Sequence, residues 1–184
     1  MNVDTTPSEL LPAANLLQGA PKDVHVHPKE AASVTPPAIL VAQMEHLTAA
    51  KQLADRHKRE LGFINRAILQ KAIESRSLLV APYLVDAGSE LAGMVHFYVR
   101  RDNTVTLCNI VVVQEYQHRG LGRRLFEELV RLTCSLGKTQ IRLKCPTELP
   151  ANLFYERVGL KIVAVEPGKH RPLNVWVYSA DNEL

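Results

Sequence analysis

Apolar and polar residues change their spacing along this chain at a few sharp points, and each change marks an expected element. From His46 to Leu61 good helix formers dominate and Gly62 is placed to end the run; a second helical stretch is expected from about Asn65 to Ile73. Ser77 to Val85 is an apolar, β-prone run that closes on the turn-forming string Asp86-Ala87-Gly88-Ser89. Leu91, Gly93, Val95, Phe97 and Val99 then alternate with Ala92, Met94, His96, Tyr98 and Arg100, which predicts a strand with one buried face. Asp102-Asn103 suits a tight turn into the next strand, Thr104 to Val113, so these three segments are expected to form an antiparallel meander.

The period then becomes helical. Leu121, Leu125, Leu129, Leu132 and Leu136 recur at spacings of three and four, charged residues occupy the rest of the wheel, and Gly137 is placed as the C-terminal cap. A short strand Gln140 to Cys145, a short helix Ala151 to Val158 ended by Gly159, and two last strands, Lys161 to Val165 and Leu173 to Ser179, complete the pattern. The order predicts a mixed α/β fold: an antiparallel meander followed by one β-α-β crossover, with no internal repeat.

Composition sharpens where this domain lies. The chain has 184 residues with a net charge of +3, and hydrophobic residues make up 46%, enough for a sizeable core. Residues 1–40 hold six of the eleven prolines and four acids against two lysines, with no sustained period. They read as a flexible tail, leaving residues 41–184 as the working domain with a charge of +5. Inside the tail, His25 and His27 could share one face of a short strand, but no third ligand is near and no metal is expected. Cys108, Cys134 and Cys145 form neither a disulfide framework nor a Cys-x-x-Cys pair. With no basic start to a signal peptide and no apolar run long enough to span a bilayer, a soluble cytoplasmic protein is expected.

The most informative segment joins the last meander strand to the long helix: Ile110-Val111-Val112-Val113-Gln114-Glu115-Tyr116-Gln117-His118-Arg119-Gly120-Leu121-Gly122-Arg123-Arg124. An apolar strand feeds a loop with two glycines, and the loop opens into a helix whose first turn is basic. Unpaired N–H groups at such a helix start, with the positive end of its dipole, suit a phosphate. A Walker A loop would need Gly-Lys-Ser/Thr where Gly122-Arg123-Arg124 stands, and a dinucleotide fingerprint would need a third small residue at Leu125. There remain a loop in which the glycines only tighten a turn, and the pattern Gln/Arg-x-x-Gly-x-Gly/Ala, met by Gln117, Gly120 and Gly122.

That pattern resembles the pyrophosphate loop of the GCN5-related N-acetyltransferase (GNAT) family. Ala151-Asn152-Leu153-Phe154-Tyr155-Glu156-Arg157-Val158-Gly159-Leu160 is similar to the family's later signature, a short helix with a tyrosine four residues before a glycine. The resemblance covers about residues 46–179. One departure is Glu148, which stands seven residues before the tyrosine where an asparagine is common; Asn152 is the substitute considered for contact with the coenzyme arm.

The resemblance implies a GNAT fold and acetyl-CoA as co-substrate. It implies that the backbone of His118, Arg119, Gly120, Leu121, Gly122 and Arg123 holds the pyrophosphate, with added contacts from the side chains of Arg119, Arg123 and Arg124. It also implies that the backbone of Ile110, Val111 and Val112 pairs with the pantetheine amides and polarises the thioester carbonyl. Tyr155 is then the general acid for the leaving thiolate, and the candidate bases are Glu148, Glu115 and His96, beside a water relay or an amine that arrives neutral. Cys145 is expected to be a buried, inert thiol. Arg142, Lys144, Lys169, His170 and Arg171, with Lys51, Arg56, Lys58, Arg59 and Arg66 on the first helices, would favour an amine acceptor carrying carboxylate or phosphate, nucleic acid or charged tRNA included. A noncatalytic acyl-CoA-binding regulatory domain and a nucleic-acid-directed protein stay open as alternatives, as does the oligomeric state.

Overall fold

The computed structural model describes residues 37–85 and 88–180. The tail up to residue 36, with His25 and His27, and the Asp86-Ala87 turn lie outside the described residues. Seven strands form one mixed sheet: β1 (Leu40–Val41), β2 (Leu78–Val85), β3 (Gly88–Val99), β4 (Thr104–Val112), β5 (Gln140–Pro146), β6 (Lys161–Glu166) and β7 (Leu173–Ser179), in spatial order β1-β2-β3-β4-β5-β7-β6. Five helices accompany it: α1 (Leu47–Arg56), α2 (Lys58–Leu61), α3 (Arg66–Glu74), α4 (Leu121–Ser135) and α5 (Ala151–Arg157).

The meander of β2, β3 and β4 is antiparallel, and the β4-α4-β5 crossover supplies the sheet's parallel pair. The turn between β3 and β4 is held by the Asp102 carboxylate, which accepts from the Thr104 N–H at 3.0 Å. The expected helix from His46 to Leu61 is broken: α1 ends on His57, whose ψ of 24° leaves the helical well, and α2 is a single further turn. A turn of 3-10 helix, Met44–His46, precedes α1, and the two-residue β1 pairs with β2. Residues 37–40, read with the tail in the sequence, touch the domain: Leu40 pairs with Val80, and the Pro37 carbonyl accepts from Arg124.

The expectation of one buried face for β3 is corrected, because every residue from Leu91 to Phe97 is buried. Helix α4 covers one face so closely that a Cβ on Gly93 would lie 2.9 Å from Leu125 Cδ1 and 2.8 Å from the Val111 carbonyl. Ala92 and Met94 point the other way and are fully buried too, because α1 also packs on β3 and is backed by α3. Leu121, Leu125, Phe126 and Leu129 anchor α4 in this core, each contributing roughly 1.5–3 kcal/mol by burial. That fixes the start of α4 against the end of β4.

Candidate active site

The site begins where β4 leaves β5. The two strands pair only from Thr104 to Thr106, against Gln140 to Arg142. Beyond that, β4 stays with β3 as far as Val112 while β5 stays with β7 as far as Pro146, so the sheet splits. The split coincides with a bulge: His96 faces Asn109 and Phe97 faces Leu107, leaving Cys108 as an extra residue on β4. The Val113 N–H donates to Ala92 on β3, so by strand alternation Val112 and Ile110 turn their backbone groups away from β3, into the split. The Val112 carbonyl is already taken, accepting from Gln117 Nε2 at 2.9 Å. The N–H groups of Ile110 and Val112 and the carbonyl of Ile110 are left facing the gap.

At the open end of the split stands the start of α4. His118 (φ 57°) and Gly120 (φ 82°) are left-handed, which turns the chain sharply into the helix. No side chain caps α4, and its first internal bond runs from the Arg124 N–H to the Gly120 carbonyl. The N–H groups of Leu121, Gly122 and Arg123 thus precede the helical ladder. Gln117, His118, Arg119 and Gly120 are exposed and Leu121 is buried. The glycine at 122 has a packing cause, since a Cβ there would meet Phe154 of α5 at 3.2 Å.

The basic side chains divide. Arg123 donates to the Arg157 carbonyl at the end of α5, and Arg124 to the Pro37 carbonyl, so both are engaged with the protein, whereas Arg119 has no such partner among the described residues. Asn152 is also committed: its amide donates to the carbonyls of Pro146, Thr147 and Leu149, and its oxygen accepts from Asn174 and, at 2.9 Å, from Trp176 Nε1. It ties the loop after β5 to β7 and has no spare hydrogen-bonding capacity of note.

Tyr155 is half-buried between Phe154 and Trp176, with ring centroids 5.7 and 6.0 Å away, and its hydroxyl has no partner among the described residues. Burial pushes the phenol well above its ordinary value, helped by the nearby Cys145. Cys145 itself is buried and burial pushes its thiol up to about 11, so it stays protonated at neutral pH. Glu148 is exposed; a hydrogen bond from its own backbone N–H and the Arg171 guanidinium 2.6 Å away hold its carboxyl below the usual range. His96 is 3% exposed, neither ring nitrogen has a partner, and burial lowers its pKa. Glu115 lies exposed in the 3-10 turn Gln114–Tyr116.

Over the paired part of β4 and β5, and reaching Cys108 and Lys144 where the strands part, is a cavity of about 450 Å³, lined by Arg100, Asp102, Thr106, Cys108, Arg142 and Lys144 among others. Glu166 pairs with both Arg142 and Lys144. Arg142 and Lys144 are expected from the sequence, while Arg100, Asp102 and Thr106 join them in the lining, the polar alternation of Thr104 and Thr106 along β4 being their signal in the sequence. Lys169 and His170 lie exposed in the β6–β7 loop, and Arg56 is paired with Glu90 away from this cavity's lining. Among the described residues no group of three or more His, Cys, Asp or Glu side chains is arranged to hold a metal ion, and no helix is long and apolar enough to cross a membrane.

The fold has counterparts among solved structures. Ard1 from Thermoplasma volcanium superposes with a TM-score of 0.66 over 79% of this chain and 98% of that one, at 16% identity. YncA from Salmonella typhimurium, solved with acetyl-CoA, does so with a TM-score of 0.63 over 82% and 97%, at 18% identity. Both likenesses are of fold. In sequence, an uncharacterized N-acetyltransferase of Bacillus subtilis, YvbK, is 29% identical over 85 residues, 46% of this chain and 55% of that protein. That match therefore spans about half the length of the relative. The model of the acetyltransferase (GNAT) family matches residues 44–160, from the turn before α1 to the end of the Tyr155 signature. With most of the fold and both motifs inside that match, the chain belongs to the acetyltransferase (GNAT) family.

Proposed function

We propose that the protein transfers an acetyl group from acetyl-CoA to a primary amine by direct attack within a ternary complex. The observation that carries this reading is the split between β4 and β5, with unpaired Ile110 and Val112 amides on one wall and the uncapped start of α4 at its mouth. The N–H groups of residues 118–123 suit the pyrophosphate of the coenzyme, and Arg119 is the side chain free to add charge. The β4 edge can pair with the amides of the pantetheine arm as a strand would, and one of its N–H groups can stabilise the oxyanion.

A neutral amine attacks the thioester carbonyl; the N–C bond forms, the C–S bond breaks, and the thiolate takes a proton from Tyr155. The proton released by the nitrogen restores Tyr155 through solvent, so the overall reaction gives an amide and free CoA. A raised phenol is a weaker acid than an ordinary one, yet burial raises the Cys108 and Cys145 thiols to about 11 as well. A thiolate leaving in similarly buried surroundings is made more basic for the same reason, which offsets part of the cost of taking the phenol's proton. Glu148, held as a carboxylate by Arg171, is a weak base, and an acceptor that arrives neutral fits better. Asn152 supports the site by fixing the loop that precedes α5.

Arg142 and Lys144 share the single carboxylate of Glu166, and Arg100 stands in the same lining as Asp102, so the cavity keeps a small excess of positive charge that favours an acceptor also carrying carboxylate or phosphate. The test is a screen of amines with acetyl-CoA, read as free thiol: acceleration by anionic amines supports the reading. Binding of acetyl-CoA without acceleration by any amine would instead favour a noncatalytic acyl-CoA binder, and salt-dependent RNA binding a nucleic-acid-directed role.

A further inference from the structure

We infer that Tyr83 and Tyr116 are positioning residues for the coenzyme loop, holding the turn that delivers residues 117–123 to the pyrophosphate; the inference rests on the acetyl-CoA reading above. The 3-10 turn Gln114–Tyr116 joins the end of β4 to that loop. Gln114 and Glu115 are exposed, whereas Tyr116 packs partly buried on the core and sets its ring 5.3 Å from that of Tyr83. The next residue, Gln117, holds the Val112 carbonyl. The place of the Tyr116 ring thus bears on both the end of β4 and the first residue of the loop.

Tyr83 is itself braced. It lies near the turn end of β2, and its hydroxyl donates to Glu90 Oε2 of β3 at 3.1 Å. The same carboxylate oxygen accepts from both terminal nitrogens of Arg56, each at 3.3 Å, so the last residue of α1 is tied in as well. A register shift makes this arrangement. The regular pairing of Leu78 to Ala81 with β3, continued unchanged, would set Tyr83 opposite Leu91. The bulge after Ala81 leaves Ala92 as an extra residue on β3 and brings Glu90 opposite Tyr83 instead. The carbonyl of that same Ala92 accepts from the N–H of Val113, the residue before the turn. Bulge, tyrosine pair and turn therefore form one assembly. Burial, with the hydrogen bond to Glu90, pushes the Tyr83 phenol above its ordinary value, so it stays a donor at neutral pH. Both rings are only partly buried, so their chief effect is on where the loop sits and not on whether the domain folds.

Calorimetry of acetyl-CoA binding to the full chain, well below the melting temperature of each variant, tests this. Tyr116→Leu and Tyr83→Leu are each expected to weaken binding about five-fold, and the double variant no more than either alone, because the two rings act as a unit. Tyr116→Phe keeps the ring and should bind like the wild type, while Tyr83→Phe, which loses only the tie to Glu90, should bind about three-fold more weakly. Free CoA carries the same pyrophosphate and should show the same losses. Wild-type affinity in Tyr83→Leu or in Tyr83→Phe overturns the inference, as does a double variant whose loss is the product of the single losses, about 25-fold. A wild-type chain that binds neither acetyl-CoA nor CoA overturns the acetyl-transfer reading itself, and this inference with it.

Discussion

Tyr155 and His96 each carry a polar group that no described residue satisfies, and the two are set apart by their surroundings. Tyr155 stands near Cys145 of β5, and in the proposed reaction its hydroxyl protonates the leaving thiolate. Replacing it with Phe is expected to lower kcat by about 10²-fold or more while leaving acetyl-CoA affinity near wild type, measured by thiol release and by calorimetry. His96 is buried with the Tyr98 ring 4.9 Å away, and its ring nitrogens have no partner among the described residues. Its folded pKa lies below the ordinary 6.5, so the stability that goes with the neutral ring is present above that pH and is lost as pH falls through the folded value. A His96→Leu variant should keep a flatter thermal stability between pH 7 and about 5 than the wild type does; parallel profiles would show that the ring does not charge on unfolding. The short helix that carries Tyr155 was legible because its cues, helix formers closed by Gly159, are local. The bonds that hold Asn152 were not, because Pro146, Asn174 and Trp176 meet it only after β5 and β7 have paired.

Among the elements, the strands and helices were largely legible and the split was not. Alternation and helical spacing are properties of one segment, whereas the split depends on how few residues β4 and β5 share and on the bulge at Cys108. The double burial of β3 did have a signal: from Leu91 to Phe97 only His96 is polar, and continuous apolar character marks a strand covered on both faces. Gly93 tests how tightly α4 is seated. Gly93→Ala is expected to destabilise the fold by about 1–3 kcal/mol in urea unfolding, because backbone stands on one side of the new methyl and Leu125 on the other. Gly120 tests the loop instead. Nothing crowds it, so Gly120→Ala costs on the order of 1 kcal/mol through its left-handed φ alone. It should weaken acetyl-CoA binding more than it lowers the melting temperature of the free protein, since it disturbs the chain just where the amides of α4 begin.

At the scale of the whole molecule, two thiols, the half-buried Cys108 and the buried Cys145, lower stability at alkaline pH. Cys108 and Cys145 move from an ordinary 9.0 to about 11, so the stability tied to their neutral forms is full below pH 9 and is lost as pH rises through 11. A falling melting temperature across that window, shallower in a Cys108→Ala variant, is the expected result. In the function proposed above, the start of α4 receives the coenzyme and the cavity over β4 and β5 receives the amine. Amine-dependent release of free thiol from acetyl-CoA, by the wild type and by Tyr155→Phe side by side, tests that account most directly. It predicts CoA released in step with acetylated amine, fastest with anionic acceptors and about 10²-fold slower or worse in the variant; equal rates in both proteins, or tight acetyl-CoA binding with no amine-dependent release, would contradict it.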